Sequence, residues 1–346
     1  MASPRVAFYD DPAFREHDSG PGHPERPERL EALVGGLRKE GLLERLIALR
    51  PRPATSAELL RVHTEEHVAR VAGSEGRTVR FDPDTQAGPH SYAAALLAAG
   101  ALVDAVDRVQ KGEIDRAFCA VRPPGHHATA GRAMGFCLFN NVAVAAAQAL
   151  HHGLRRVMIV DFDVHHGNGT QDIFYSDRRV LYVSSHAFPF YPGSGALGEV
   201  GEGEGRGFTV NLPMPPGFGD QEYARVYREV VEPIGRAFDP ELVLVSAGFD
   251  AHRGDPLAGM DLTREGYAEL TDVCLGIAGG SAKGRVVAAL EGGYDLDAIA
   301  GAAAAVAKGL LGDHHRPLAR PAHGRMDALL DAYRAMLAPY WPVLAA

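Results

Sequence analysis

Short apolar runs alternate along most of this chain with longer stretches whose apolar residues recur at helical spacing. The runs are Val6–Tyr9, Arg116–Val121, Val157–Val160, Val180–Ser184, Phe208–Leu212, Leu242–Ser246 and Val286–Leu290. Val157–Val160 is apolar throughout, as a strand buried on both faces of a parallel sheet is. Helical spacing covers Glu28–Leu46, Ser91–Val109, Val142–Leu150, Gln171–Tyr175, Glu222–Phe238 and Thr263–Ala278, then about 296–311 and 325–337. Prolines and glycines in FREHDSGPGHPERPERL forbid regular structure until about Pro27, which can begin a helix. The segment through His67 reads as short helical pieces, and Arg77–His90 as a polar loop. Strands alternating with helices predict a parallel sheet with right-handed crossovers and helices on both faces. No linker and no internal repeat divides the chain, so one domain over 1–346 is expected.

Four of the predicted strands run out into unusual residues. Val121 is followed by Gly125, His126 and His127, and Val160 by Asp161, Asp163 and His165. Ser246 is followed by Gly248, Phe249 and Asp250, and Leu290 by Gly292, Gly293 and Tyr294. In a parallel sheet these ends share one edge, where open α/β sheets bind ligands. Alternation along an extended chain points Asp161, Asp163 and His165 the same way. A solvated turn would account for one such set, but four together describe a site. Asp163, His165 and Asp250 offer three ligands to a divalent ion such as zinc and leave positions for water and substrate. His126 and His127 are candidates for moving protons. Tyr294, behind two glycines that let the backbone approach closely, can donate to a developing oxyanion.

Composition changes this picture little. The chain has 346 residues, 46% of them hydrophobic and 23% charged, as soluble globular proteins do. No apolar run approaches the ~18 residues that span a bilayer. The start, MASPRVAFYDD, lacks the basic and apolar regions of a secretory signal, so cytoplasmic residence is expected. Cys119, Cys137 and Cys274 are too few and too far apart for a disulfide framework or a cysteine zinc site. A net charge of −9 argues against a nucleic-acid binder and gives mild steering to a cationic substrate. GEGEGRG at 201–207 lacks the Lys-Ser/Thr of a phosphate loop and reads as a surface turn. His151 and His152 fall at a helix C-terminus, where charge favours them. His314 and His315 sit in a polar C-terminal loop with no chemistry assigned.

RPPGHHA, GFCLFNN, DFDVHHGNG, SAGFDAHRGDPL and LEGGYD occur in that order. Over roughly residues 5–310 the chain resembles zinc-dependent histone deacetylases and their bacterial relatives, including acetylpolyamine amidohydrolases. The resemblance implies the three-layer arginase/deacetylase-like α/β fold, with a mostly parallel sheet of about eight strands. It implies hydrolysis of an acylated amine, acetyl-lysine being the common substrate. It makes Asp163, His165 and Asp250 the ligands of one zinc, and His126 and His127 the tandem pair. Tyr294 becomes the transition-state donor, and Asp161 the partner of His126. Asn168 stands where some members have a second aspartate facing His127, which is the class II pattern. The amide should leave His127 the better base, while Asp161 favours the charged form of His126.

The resemblance also implies K+ or Na+. One ion would lie at Asp161 and the carbonyls of Asp163 and His165, completed by Ser184 and Ser185. A second would use carbonyls of Phe174, Asp177 and Val180. Phe136, next to Gly135, and Tyr191 resemble the tunnel walls, and Arg29 would line a channel for acetate. Leu257 stands where polyamine-specific relatives carry a glutamate, which favours an aliphatic, lysine-like chain. Gly167 replaces an aspartate that a binuclear arginase site needs, so one zinc is expected, with His252 as loop structure or a rim contact. Iron in place of zinc and a homo-oligomer are both allowed. The alternatives are an acetylpolyamine or other small-molecule amidohydrolase, and a metal-binding regulatory module without turnover.

Overall fold

The computed structural model describes residues 3–313, 315, 317–318 and 324–345, so His314 lies outside the described residues. The elements, in order, begin with β1 (Val6–Tyr9), α1 (Glu28–Lys39), β2 (Ile47–Leu49), α2 (Ser56–Leu59), α3 (Glu65–Ala72), β3 (Val79–Arg80), β4 (Gln86–Ala87), α4 (Ser91–Lys111) and β5 (Arg116–Cys119). They continue with α5 (Asn141–His151), β6 (Val157–Asp161), α6 (Asn168–Phe174), β7 (Val180–Ala187), β8 (Thr209–Met214), α7 (Asp220–Val226) and α8 (Glu232–Phe238). The last are β9 (Leu242–Ala247), α9 (Arg264–Gly280), β10 (Val286–Leu290), α10 (Leu296–Leu310) and α11 (Asp327–Leu337).

Eight strands form one sheet in the order β2-β1-β5-β10-β9-β6-β7-β8, and every pairing is parallel. β5, β6, β9 and β10 are the strands whose ends carry the unusual residues, and they are four neighbours at the centre of the sheet. Their last rungs align. Cys119 pairs with Ala289, Ala289 with Ser246, Ser246 with Asp161, and Asp161 with Ser184. Past that row the four chains leave the sheet side by side. Alanine-rich α4 packs on α5 against β5, β6, β9 and β10, and α9, α10 and α1 form the other layer. Alanine allows this close approach at little entropic cost.

Four expectations change. The helix predicted to Leu46 ends at Lys39, because Gly41 turns left-handed at φ +64°. Behind it β2 adds an edge strand whose Ile47 and Ala48 are exposed, so no buried pattern announced it. The polar loop Arg77–His90 contains a two-stranded antiparallel ribbon, β3 with β4. The helix expected at Gln171–Tyr175 starts earlier, at Asn168.

Adjacent glycines in α1 should respond oppositely to alanine. A Cβ on Gly36 would sit 2.4 Å from the Ala300 carbonyl oxygen of α10, whereas one on Gly35 meets nothing within 4 Å. Gly36→Ala should destabilise by ~1–3 kcal/mol through overpacking. Gly35→Ala should stabilise by up to ~1 kcal/mol through helix propensity. Thermal melts of the two variants, moving in opposite directions from wild type, check this.

Candidate active site

Asp161 ends β6, and the chain turns so that Asp163 and His165 face the end of β9. There Asp250 completes a group whose ligand atoms all lie within 4.8 Å of one another. His165 Nδ1 is 3.2 Å from Asp163 Oδ1 and 3.1 Å from Asp250 Oδ2. Backbone amides hold the other carboxylate oxygens: Val164 donates to Asp250 Oδ1 at 2.9 Å and Gly292 to Asp163 Oδ2 at 2.7 Å. Outer contacts of this kind orient ligands toward a common centre. A Cβ on Gly248 would lie 2.0 Å from Asp163 Oδ2, and one on Gly292 2.1 Å from Asp250 Oδ2, so only glycine admits the carboxylates here.

The electrostatics fit a divalent cation. All three side chains are buried, and among the described residues no lysine or arginine pairs with the two carboxylates. Burial and then the charge of Asp163 push Asp250 up to about 7. Asp163 goes the other way: burial opposes its charge, but His126 and His165 outweigh it and hold it well below the usual range. One divalent cation would relieve both the repulsion and the desolvation.

The two histidines differ through their partners. His126 Nδ1 lies 3.0 Å from Asp161 Oδ2, and His127 Nδ1 2.8 Å from Asn168 Oδ1. Both partners accept, so each ring carries its proton on Nδ1 when neutral and keeps a lone pair on Nε2. Burial works against charge on His126, but Asp161 and Asp163 outweigh it and lift it to about 10. His127 is driven well below its ordinary value by burial and then by His126. Asp161 is held in turn by the Asp163 amide at 3.1 Å and the Tyr182 hydroxyl at 3.1 Å.

A cavity of about 80 Å³ opens above this group. Phe136 and Tyr191 line it from one loop each, with Leu257 and Tyr294 completing the wall. Phe136 adopts φ +69°, a left-handed conformation that non-glycine residues avoid. Beside it, a Cβ on Gly135 would strike the His127 ring at 2.4 Å. The Tyr191 ring stands edge-on to His127 at 5.1 Å, and Phe190 stacks on His165 at 5.3 Å. Burial raises the Tyr294 phenol well above its ordinary pKa, so it stays a donor.

The remaining predicted residues fall as follows. The Arg29 guanidinium is buried 5.0 Å over the Tyr294 ring and donates to the carbonyls of Gly293 and Glu291 at 2.6 and 2.5 Å and to Glu25 at 3.0 Å. Ser184 and Ser185 are buried on β7, where Ser184 Oγ meets His186 at 2.9 Å and Ser185 Oγ meets Tyr227 at 3.0 Å. Phe174, Asp177 and Val180 form the turn from α6 to β7. His252 accepts the Gly254 amide at 3.1 Å within its own loop. A Cβ at Gly167 would lie 2.3 Å from Asp161 Oδ2, so that position has no room for an arginase-like aspartate.

Sequence reasoning gave no role to three carboxylates. Asp84 lines the cavity. Glu291 accepts the amides of Gly125 and His126 at 2.7 and 3.2 Å and so seats the tandem histidines. Asp255 accepts the Tyr294 amide at 2.6 Å. Glu291 and Asp255 lie inside quoted motifs. Only coordinates show that they bond to backbone amides.

The histone deacetylase domain profile matches residues 23–310. A probable deacetylase of Archaeoglobus fulgidus is 42% identical over 296 residues, covering 84% of this chain and 81% of that protein. The polyamine deacetylase HDAC10 of Homo sapiens is 43% identical over 338 residues, covering 92% of this chain but only 50% of that longer protein. The crystal structure of the HDA15 HD domain superposes with a TM-score of 0.91 at 41% identity, covering 99% of this chain and 96% of that one. The expected fold is therefore the observed one, and the chain belongs to the histone deacetylase family of amide-hydrolysing deacetylases.

Proposed function

We propose that this chain removes an acetyl or other short acyl group from an acylated amine, with a lysine-like aliphatic chain passing between Phe136 and Tyr191. One observation carries the reading. His127, His165 and Tyr294 line one narrow cavity, and His165 belongs to a group of three ligand atoms within 4.8 Å of one another.

Asp163, His165 and Asp250 would hold zinc, which when bound polarises a carbonyl and makes water a nucleophile near neutral pH. His127, uncharged and with Nε2 free, takes the proton from the attacking water. His126, kept charged by Asp161, stabilises negative charge and holds a proton beside the leaving amine. Tyr294 donates to the carbonyl oxygen as charge builds there. Aromatic walls exclude water from the reacting bond. Arg29 would border the route by which acetate leaves. K+ or Na+ would sit at Asp161 with the carbonyls of Asp163 and His165, near Ser184 and Ser185, and again at the carbonyls of Phe174, Asp177 and Val180. The chain would act as one catalytic domain in the cytoplasm, without nucleic acid. No helix among the described residues is long and apolar enough to cross a membrane. A second reading, an acetylated polyamine, is favoured by Asp84, an acidic residue that lines the same cavity as Leu257.

Acetyl-lysine peptides and acetylated polyamines, each assayed with and without chelator, test the reading. Turnover should be abolished by chelation and restored by zinc, and chelator-insensitive hydrolysis would sink the metal mechanism. Asn168→Asp places a carboxylate against the Nδ1–H of His127 and favours its charged form. The acid limb of kcat/KM should therefore move to higher pH, and an unmoved limb would remove His127 as the base. Leu257 is 37% exposed at the cavity mouth. Leu257→Glu should raise kcat/KM for acetylpolyamine over acetyl-lysine by roughly five-fold, what an exposed ion pair of ~1 kcal/mol gives.

A further inference from the structure

The segment that carries Tyr294 has no regular structure of its own. It runs from Glu291 to Asp295, between β10 and α10, and is pinned group by group from outside. Arg29 holds the carbonyls of Glu291 and Gly293. The Phe249 amide donates to the Gly292 carbonyl at 3.0 Å, and the Gly292 amide donates to Asp163 at 2.7 Å. The Glu291 amide donates to the Ala247 carbonyl at 3.1 Å, and next come the amides of Tyr294 and Asp295. Both donate to a single oxygen, Asp255 Oδ2, at 2.6 and 3.2 Å. The other oxygen, Asp255 Oδ1, accepts the Leu257 amide at 3.0 Å. Asp255 is 7% exposed, and its own amide donates to the His252 carbonyl at 2.8 Å. One buried carboxylate therefore ties together two walls of the cavity, the tyrosine and the Leu257 rim.

Tyr294 depends on that tie. Its side chain is held by ring contacts, edge-on to Phe136 at 6.0 Å and under Arg29 at 5.0 Å. Such contacts let a ring slide, so the backbone at 294 decides where the hydroxyl sits. A tilt of about 10° there moves the hydroxyl by roughly 1 Å, a displacement that costs on the order of 100-fold in rate. Amide bonds to a carboxylate are also stronger than neutral ones.

We propose that Asp255 is a positioning residue for catalysis. Its carboxylate fixes the Tyr294 hydroxyl over the scissile amide and sets the spacing between the tyrosine and the Leu257 rim. This rests on the reading of Tyr294 as oxyanion donor. An asparagine at 255 keeps one acceptor oxygen and turns an NH2 toward an N–H at the other end, so it cannot hold both walls.

The test is a double-mutant cycle of Asp255→Asn and Tyr294→Phe on zinc-loaded protein with an acetyl-lysine substrate. Asp255→Asn should lower kcat by about 10- to 100-fold and change KM by less than about threefold. Tyr294→Phe should lower kcat by about 100-fold or more. In the Tyr294→Phe background, Asp255→Asn should cost no more than about twofold, because the group it positions is already gone. Zinc content, measured directly, should stay equal to wild type in every variant. Full multiplication of the two losses would overturn the proposal, as would loss of zinc from Asp255→Asn, since the residue would then act through Asp250. If Asp255→Asn does not fold, Asp255→Ser, which keeps one hydroxyl acceptor, enters the same cycle. Failure of both to fold makes Asp255 a stability residue and ends the proposal. An unimpaired Tyr294→Phe would instead strike the reading of the site itself, so the two failures are distinguishable.

Discussion

Two carboxylates buried within reach of one another, paired among the described residues with histidine but with no lysine or arginine, dominate this molecule. Asp163 and Asp250 come from different strands, and their repulsion opposes folding unless something opposite in charge intervenes. His165 supplies part of that charge: burial works against it, but the two aspartates outweigh burial and lift it to about 10. The rest is left to a cation. Around this centre the structure is arranged to keep the carboxylates in place, with amides from Val164 and Gly292 on their outer oxygens and glycines at 248 and 292 where any side chain would collide.

Such a centre needs an accurate frame, and the parallel sheet provides it. Four neighbouring strands end on a common row, Cys119–Ala289–Ser246–Asp161, so the loops that follow begin from the same height. A one-residue slip in any strand would turn its side chains to the opposite face. Runs that are apolar on both faces resist slippage less by pattern than by burial between two helical layers. The geometry of the Asp163, His165 and Asp250 group and the stability of the fold are therefore linked through the sheet.

Much of this was legible beforehand because buried parallel strands are written as continuous apolar runs, and their ends as abrupt changes to Asp, His and Gly. The four strand ends, the grouping of Asp163, His165 and Asp250 and the tandem histidines follow from that contrast. What stayed hidden has physical reasons. β2 exposes Ile47 and Ala48 at the sheet edge, so it lacks a burial signal. The β3–β4 ribbon is two residues wide on each side and is set by pairing, not by composition. Glu291 and Asp255 were in view as letters, but a carboxylate that accepts backbone amides leaves no periodicity and no sequence partner.

Three carboxylates behind the site share a pattern. Asp161, Glu291 and Asp255 are all buried, and each is satisfied by at least one backbone amide. A carboxylate that takes amides can hold irregular chain where no ladder is available, because it offers two oxygens and several lone pairs to one segment. Loops that must present side chains at fixed positions, yet cannot be strands, need such anchors. Burial lifts Glu291 to about 7, the cost of keeping a charge there, and the amides of Gly125 and His126 are what it holds. The same trade explains Phe136, whose left-handed backbone is tolerated where it places an aromatic wall beside His127. In this chain the site is built by fixing loops with buried charge, and stability is given up locally wherever position matters more.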